Sequence, residues 1–110
     1  VEDREAVESI NEIASVTGVD LLFVGPGDLG ISLGVPFQFD HPVLQDAIDR
    51  VASATRKAGI WWGLPTGSPE QAQHALRKGA RLITAGNDHQ LLVQGFQNAF
   101  AEFRHLEPTS

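Results

Sequence analysis

The sequence predicts an α/β fold built on a parallel sheet, and three observations carry that prediction. Helical and strand-like patterns alternate along the chain as helix, strand, helix, strand, helix, strand, helix, the order that produces a parallel sheet. Each apolar strand run ends in Gly and Pro residues before the next helix, as "GPGD", "GLPTGSP" and "AGND". Most connections are short, except for a long Gly/Pro-rich stretch after the first strand. Three strands are few for a stable sheet, so the pattern is compatible with part of a (β/α)8 barrel, whose complete form needs about 250 residues.

The elements follow in order. Residues 4 to 16, "REAVESINEIASV", place Ala6, Val7, Ile10, Ile13 and Ala14 on one apolar stripe at helical spacing, and Gly18 stops that helix. "VDLLFVGP" (19–26) is a nearly continuous apolar run bounded by turn signals, which suits a strand buried on both faces. "GDLGISLGVPFQFDHP" then reads as a loop. The clearest helix is "HPVLQDAIDRVASATRKAG" (41–59), with Asp40 as candidate N-cap and Pro42 near its first turn. Leu44, Ala47, Ile48, Val51, Ala52 and Thr55 form its inner stripe, Arg56 and Lys57 favour its C-terminal dipole, and Gly59 ends it. "IWWGLP" (60–65) is a second strand, in which adjacent Trp61 and Trp62 face opposite sides. "SPEQAQHALRKGA" (68–80) opens with Ser68 as N-cap and Pro69 at the first helical position, and Lys78 and Gly79 close it. "RLITAG" (81–86) is the third strand. Asp88 is expected to cap a last helix over about 89–104, carrying Leu91, Leu92, Val93, Phe96, Phe100 and Phe103, and residues 105–110, "HLEPTS", read as a frayed tail.

The bulk numbers exclude several functions. There is no cysteine, which rules out disulfides, thiolate nucleophiles and Cys-based zinc sites and fits a cytoplasmic protein. Eight Lys and Arg stand against 14 Asp and Glu, for a net charge of −6, and no basic cluster offers a nucleic-acid surface. No run approaches the roughly 18 apolar residues of a membrane helix. The chain contains no Met and opens on "VEDREAVESI" with neither signal peptide nor unstructured leader, so it is read as a single partial domain (1–110) of a longer protein.

Chemistry is expected at the strand-to-helix loops. Asp28 follows the first strand at once. An Asp after a Gly turn serves as a cap or turn former, or as a functional group on the rim. Glu2 alone is uninformative. If "VE" ends a strand before the first helix, Glu2 holds the same rim position in its unit as Asp28 holds in the next. Neighbouring parallel strands lie about 4.8 Å apart, so two such carboxylates can converge on one hard divalent cation. His41, His74, His89 and His105 show no metal-ligand spacing and read as structural or surface residues. Ser32, Thr66 and Ser68 lie in no nucleophile elbow, so a hydrolase triad is unsupported. "GPGDLG" matches neither phosphate-loop fingerprint, although its backbone N–H groups suit an anionic carboxylate or phosphate.

These stretches resemble the HpcH/HpaI aldolase family of metal-dependent class II pyruvate aldolases. The resemblance rests on "VE" before a short helix, "GVDLLFVGPGDLGISLG", "HPVLQDAIDRV", "PEQAQHALRKGA" and "AGNDHQLL", and runs over nearly the whole chain. It implies the C-terminal part of a (β/α)8 TIM barrel. In that family a "Q-V-E" strand end supplies a Glu metal ligand and a "GP-x-D-L" loop an Asp ligand. By resemblance these are Glu2 and Asp28, holding Mg²⁺, Mn²⁺ or Co²⁺. The implied reaction is reversible cleavage of 4-hydroxy-2-oxo acids to pyruvate and an aldehyde, with the cation as Lewis acid. The backbone around Gly27 and Asp28 would receive the substrate carboxylate, and Phe23, Leu64 and Pro65 would help line the aldehyde pocket. The family's catalytic His and substrate-binding Arg come from the first half of the barrel, so no catalytic residue is expected in this chain, and His41 and Arg50 are not replacements. The last helix is exchanged between subunits in the family, which implies a homo-oligomer, often a trimer of dimers. The alternatives are a non-catalytic fragment or pseudoenzyme, another phosphate-binding (β/α)8 enzyme, or a sister activity on CoA thioesters.

Overall fold

The computed structural model describes residues 1–106; positions 107–110 of the expected tail lie outside the described residues. The elements are α1 (Arg4–Glu8), α2 (Ile10–Ala14), β1 (Leu21–Phe23), α3 (Pro26–Ser32), α4 (Pro42–Ala58), β2 (Trp61–Thr66), α5 (Pro69–Arg77), β3 (Leu82–Ala85) and α6 (Asp88–Phe103). The strands form one sheet in the order β1-β2-β3, parallel throughout, with Leu22 beside Trp62 and Leu64 beside Ile83.

One face of this sheet is packed and the other is open. Leu22, Val24, Trp62 and Leu64 point into a core completed by Val7 and Ile10 of the first helices and by Leu44, Ile48 and Val51 of α4. Each of these side chains contributes roughly 1.5–3 kcal/mol by leaving water. On the opposite face Phe23, Trp61, Pro65 and Leu82 are exposed. The tryptophan pair divides as the strand pleat requires: Trp61 is 61% exposed and Trp62 2%.

α4 buries the whole expected stripe and ends at Gly59 in the left-handed region (φ 71°), where a glycine costs least. Thr55 is fully buried, and its hydroxyl donates to the carbonyls of Val51 (3.0 Å) and Ala52 (3.1 Å).

Four expectations at this level are corrected. The helix over 4–16 is two short helices meeting at Ser9, although Val7, Ile10 and Ala14 keep a common buried stripe. The stretch read as a loop after β1 contains α3. Its glycines weaken helix propensity, but Pro26 starts the turn, and packing of Leu29 and Gly30 supplies what propensity lacks. A Cβ at Gly30 would lie 3.2 Å from the Val35 carbonyl oxygen, so that packing requires a small residue. His41, not Asp40, caps α4, accepting from the Val43 N–H through Nδ1 at 3.3 Å, because Pro42 takes the first helical position. Asn87, not Asp88, caps α6, its Oδ1 accepting from the Gln90 N–H at 2.8 Å.

α6 has 16 residues and buries none of them. Phe96, Phe100 and Phe103 are each about two-thirds exposed or more. Among the described residues no helix is long and apolar enough to cross a membrane.

Candidate active site

The C-terminal end of the sheet collects the sequence-predicted residues, and backbone bonding explains how. The Val1 amino group donates to the Phe23 carbonyl (2.7 Å), and the Gly25 N–H donates to the Val1 carbonyl (3.0 Å). Val1 therefore continues the parallel ladder beside β1, and Glu2 emerges next to Gly25. The Gly25 carbonyl accepts the Leu29 N–H (2.9 Å), the first hydrogen bond of α3, which sets Asp28 in the first turn of that helix. Beyond Glu2 the chain turns at once into α1, where Asp3 caps the Ala6 N–H (2.7 Å) and Ser32 Oγ accepts the Arg4 N–H (3.0 Å). Both carboxylates are exposed at one end of the sheet, held by short segments bonded to the same residue.

The glycine at 25 leaves room that Glu2 fills. A Cβ built there would lie 2.8 Å from Glu2 Oε1 and 2.9 Å from its Cγ. Gly27 has nothing within 4 Å of the corresponding position. The first turn of α3 leaves the N–H groups of Gly27 and Asp28 without intrahelical partners. Two hard carboxylates at one rim, one seated in a space without a side chain, suit a hard divalent cation that completes its shell with water and substrate oxygens. Among the described residues no group of three or more His, Asp or Glu side chains is placed to hold a metal by itself.

An open groove of about 1080 Å³ runs from this rim across the end of β2 to α5. It brings together Gly27, Asp28, Leu64 and Pro65, while Glu2 and Phe23 lie outside its lining. Phe23 is the neighbour of Gly63 in the sheet register, so Phe23 and Pro65 share the open face. Leu64, one residue from Pro65, takes the opposite parity, and its side chain packs in the core beside Trp62.

The far wall of the groove was not legible in the sequence. Gln45 of α4 donates to the Phe39 carbonyl (2.8 Å), and its Oε1 accepts from Lys78 Nζ (2.9 Å). His74 Nε2 lies 3.3 Å from the same oxygen. Lys78 also pairs with Asp49 (2.7 Å), joining the end of α5 to α4. These residues are some 30 positions apart, and no local pattern announces such a contact. Ser68 caps α5 as expected, accepting from the Gln71 N–H (3.2 Å), while Gln71 reaches back to the Gly67 N–H (2.8 Å). At the same helix start, Glu70's own backbone N–H, then the Ser68 hydroxyl, hold its carboxyl below the usual carboxylate range.

Comparison with known proteins identifies the family and the fold. The family model described as HpcH/HpaI aldolase/citrate lyase matches residues 1–95. The chain is 34% identical over 110 residues to 2-keto-3-deoxy-L-rhamnonate aldolase from Salmonella paratyphi A, and spans 41% of that protein's length. It superposes on an HpcH/HpaI aldolase/citrate lyase family protein from Burkholderia cenocepacia with a TM-score of 0.87 at 38% identity, covering 94% of this chain and 40% of that one. The HpcH/HpaI aldolase from Desulfitobacterium hafniense gives a TM-score of 0.89 at 27% identity, covering 100% and 43%. The sheet and its helices are thus part of a TIM barrel, and the chain belongs to the HpcH/HpaI aldolase/citrate lyase family.

Proposed function

We propose that this chain is the metal-binding part of a divalent-metal-dependent aldolase that cleaves 4-hydroxy-2-oxo acids to pyruvate and an aldehyde. The observation that carries the reading is the bonding of both carboxylate-bearing segments, Val1–Glu2 and α3, to Gly25 at one end of the sheet. Glu2 and Asp28 would hold Mg²⁺, Mn²⁺ or Co²⁺, which when bound supplies a Lewis acid for the 2-oxo acid. The free N–H groups of Gly27 and Asp28 orient the substrate carboxylate. Phe23 and Pro65 give the aldehyde an apolar wall on the open face, and Leu64 supports that wall from the core side.

The acid–base residue and the substrate-binding arginine are assigned to the part of the barrel preceding this chain. His41 is engaged as a helix cap, and Arg50 lines a small cleft between α1 and α4 on the outer helices, so neither is placed to replace them. The 110-residue chain alone is therefore expected to be inactive. The exposed apolar surface of α6 supports assembly into a homo-oligomer. The trimer of dimers is what the family resemblance implies, and the cytoplasmic location is read from the absence of cysteine. The decisive experiment is Asp28→Ala in the full-length protein of which this chain forms part. Loss of both Mn²⁺ binding and carbon–carbon cleavage supports the assignment, whereas retained cleavage refutes it.

A further inference from the structure

We propose that Gly25 is a positioning residue for the metal site: the side chain it lacks is the space in which the Glu2 carboxylate sits. The inference rests on the metal-site reading of Glu2 and Asp28. Three observations carry it. The backbone of Gly25 has φ −95° and ψ 90°, outside the left-handed region, so conformation does not demand a glycine there. Space does. The three atoms nearest a Cβ at this position all belong to Glu2: Oε1 at 2.8 Å, Cγ at 2.9 Å and Cδ at 3.2 Å. Finally, the Gly25 N–H is bonded to Val1 and its carbonyl to Leu29, so one residue fixes the origin of both carboxylates.

The obstructing atoms form the far end of a flexible, exposed side chain rather than backbone. An added methyl group therefore displaces the Glu2 carboxylate and leaves the chain path intact. This predicts an uncommon separation of effects, in which metal affinity falls while stability holds. Residues that orient metal ligands without touching the metal typically change affinity by about 10- to 100-fold when altered.

The test is Mn²⁺ titration of the full-length protein, reading free aquo-Mn²⁺ by electron paramagnetic resonance, with thermal unfolding of each metal-free variant alongside. Gly25→Ala should raise the Mn²⁺ Kd at least about tenfold, with the Tm of the metal-free protein nearly unchanged. An Mn²⁺ Kd within about twofold of wild type overturns the inference. Should Gly25→Ala lower the Tm, the same substitution in a Glu2→Ala background decides the cause. Disappearance of the loss there locates the contact at Glu2 and supports the inference, and its persistence overturns it. Wild-type protein that binds no Mn²⁺, with Asp28→Asn making no difference, sinks the metal site itself and this inference with it.

Discussion

Gly63 lies in the middle of β2, and the structure predicts that even a methyl group there is destabilising. A Cβ at Gly63 would collide with the Leu82 carbonyl oxygen, lie 2.6 Å from Leu82 Cβ, and lie 3.0 Å from the Leu82 carbonyl carbon. Two of these atoms are backbone, so no rotamer change relieves the contact. Carbon atoms at van der Waals contact sit at about 3.5–4.0 Å, so β3 must withdraw from β2 by about 1 Å. The adjacent bond from the Arg81 N–H to the Trp62 carbonyl, now 2.8 Å, would then exceed hydrogen-bonding range. Overpacking costs typically about 1–3 kcal/mol, and a lost backbone hydrogen bond about 1 kcal/mol more. Gly63→Ala should therefore destabilise by roughly 2–4 kcal/mol, measured by urea unfolding with unchanged m-value. Gly27→Ala, which meets nothing within 4 Å, is the matched comparison and should cost nothing. A Gly63→Ala loss below about 0.5 kcal/mol would show that the strands accommodate the methyl group and would refute the steric reasoning.

Three further outcomes are expected. Glu70 should titrate below the usual carboxylate range in a pH series followed by NMR, and Ser68→Ala should return it part of the way. Because the folded-state value is depressed, the associated stabilisation is present above the unfolded carboxylate value and is lost as pH falls through the folded one. The Lys78–Asp49 pair, with side chains 19% and 58% exposed, should show a double-mutant coupling of at most about 1 kcal/mol that shrinks with added salt. Thr55→Val should cost no more than about 1 kcal/mol in urea unfolding, since the Thr hydroxyl bonds only to helix carbonyls and its removal strands no buried donor.

The features legible in the sequence are those written locally. α4 shows its inner stripe, α4 and α5 both show Pro at the first turn and a glycine near the end, and both form within a few residues of the expected bounds. The strands betray themselves as short apolar runs between Gly and Pro. Cap identities slip by one at Asp40 and Asp88, because a side-chain acceptor at either of two neighbouring positions, the ring nitrogen of His41 or the amide oxygen of Asn87 included, looks equally suitable until the position of Pro42 or the Asn87 geometry decides. α3 is hidden because Gly27 and Gly30 read as loop, and only burial against Val35 and Leu44 explains a helix there. Parity along β2 is local, since Trp61 and Trp62 must oppose each other, but which face meets the core is not. For that reason Leu64 and Pro65 cannot be sorted from sequence. Nor can the contact between Glu2 and Gly25, or the bonds converging on Gln45, which depend on how distant segments meet.

The opposed tryptophans make the protein its own spectroscopic gauge. Trp62, sealed in the core, should emit at short wavelength until the chain unfolds, whereas Trp61 stands in water on the open face of the sheet. Anything that covers that face, such as further strands closing a barrel, would quench or blue-shift Trp61 alone. With Phe at one position or the other, a single fluorimeter could time closure of the sheet and collapse of its core as separate events.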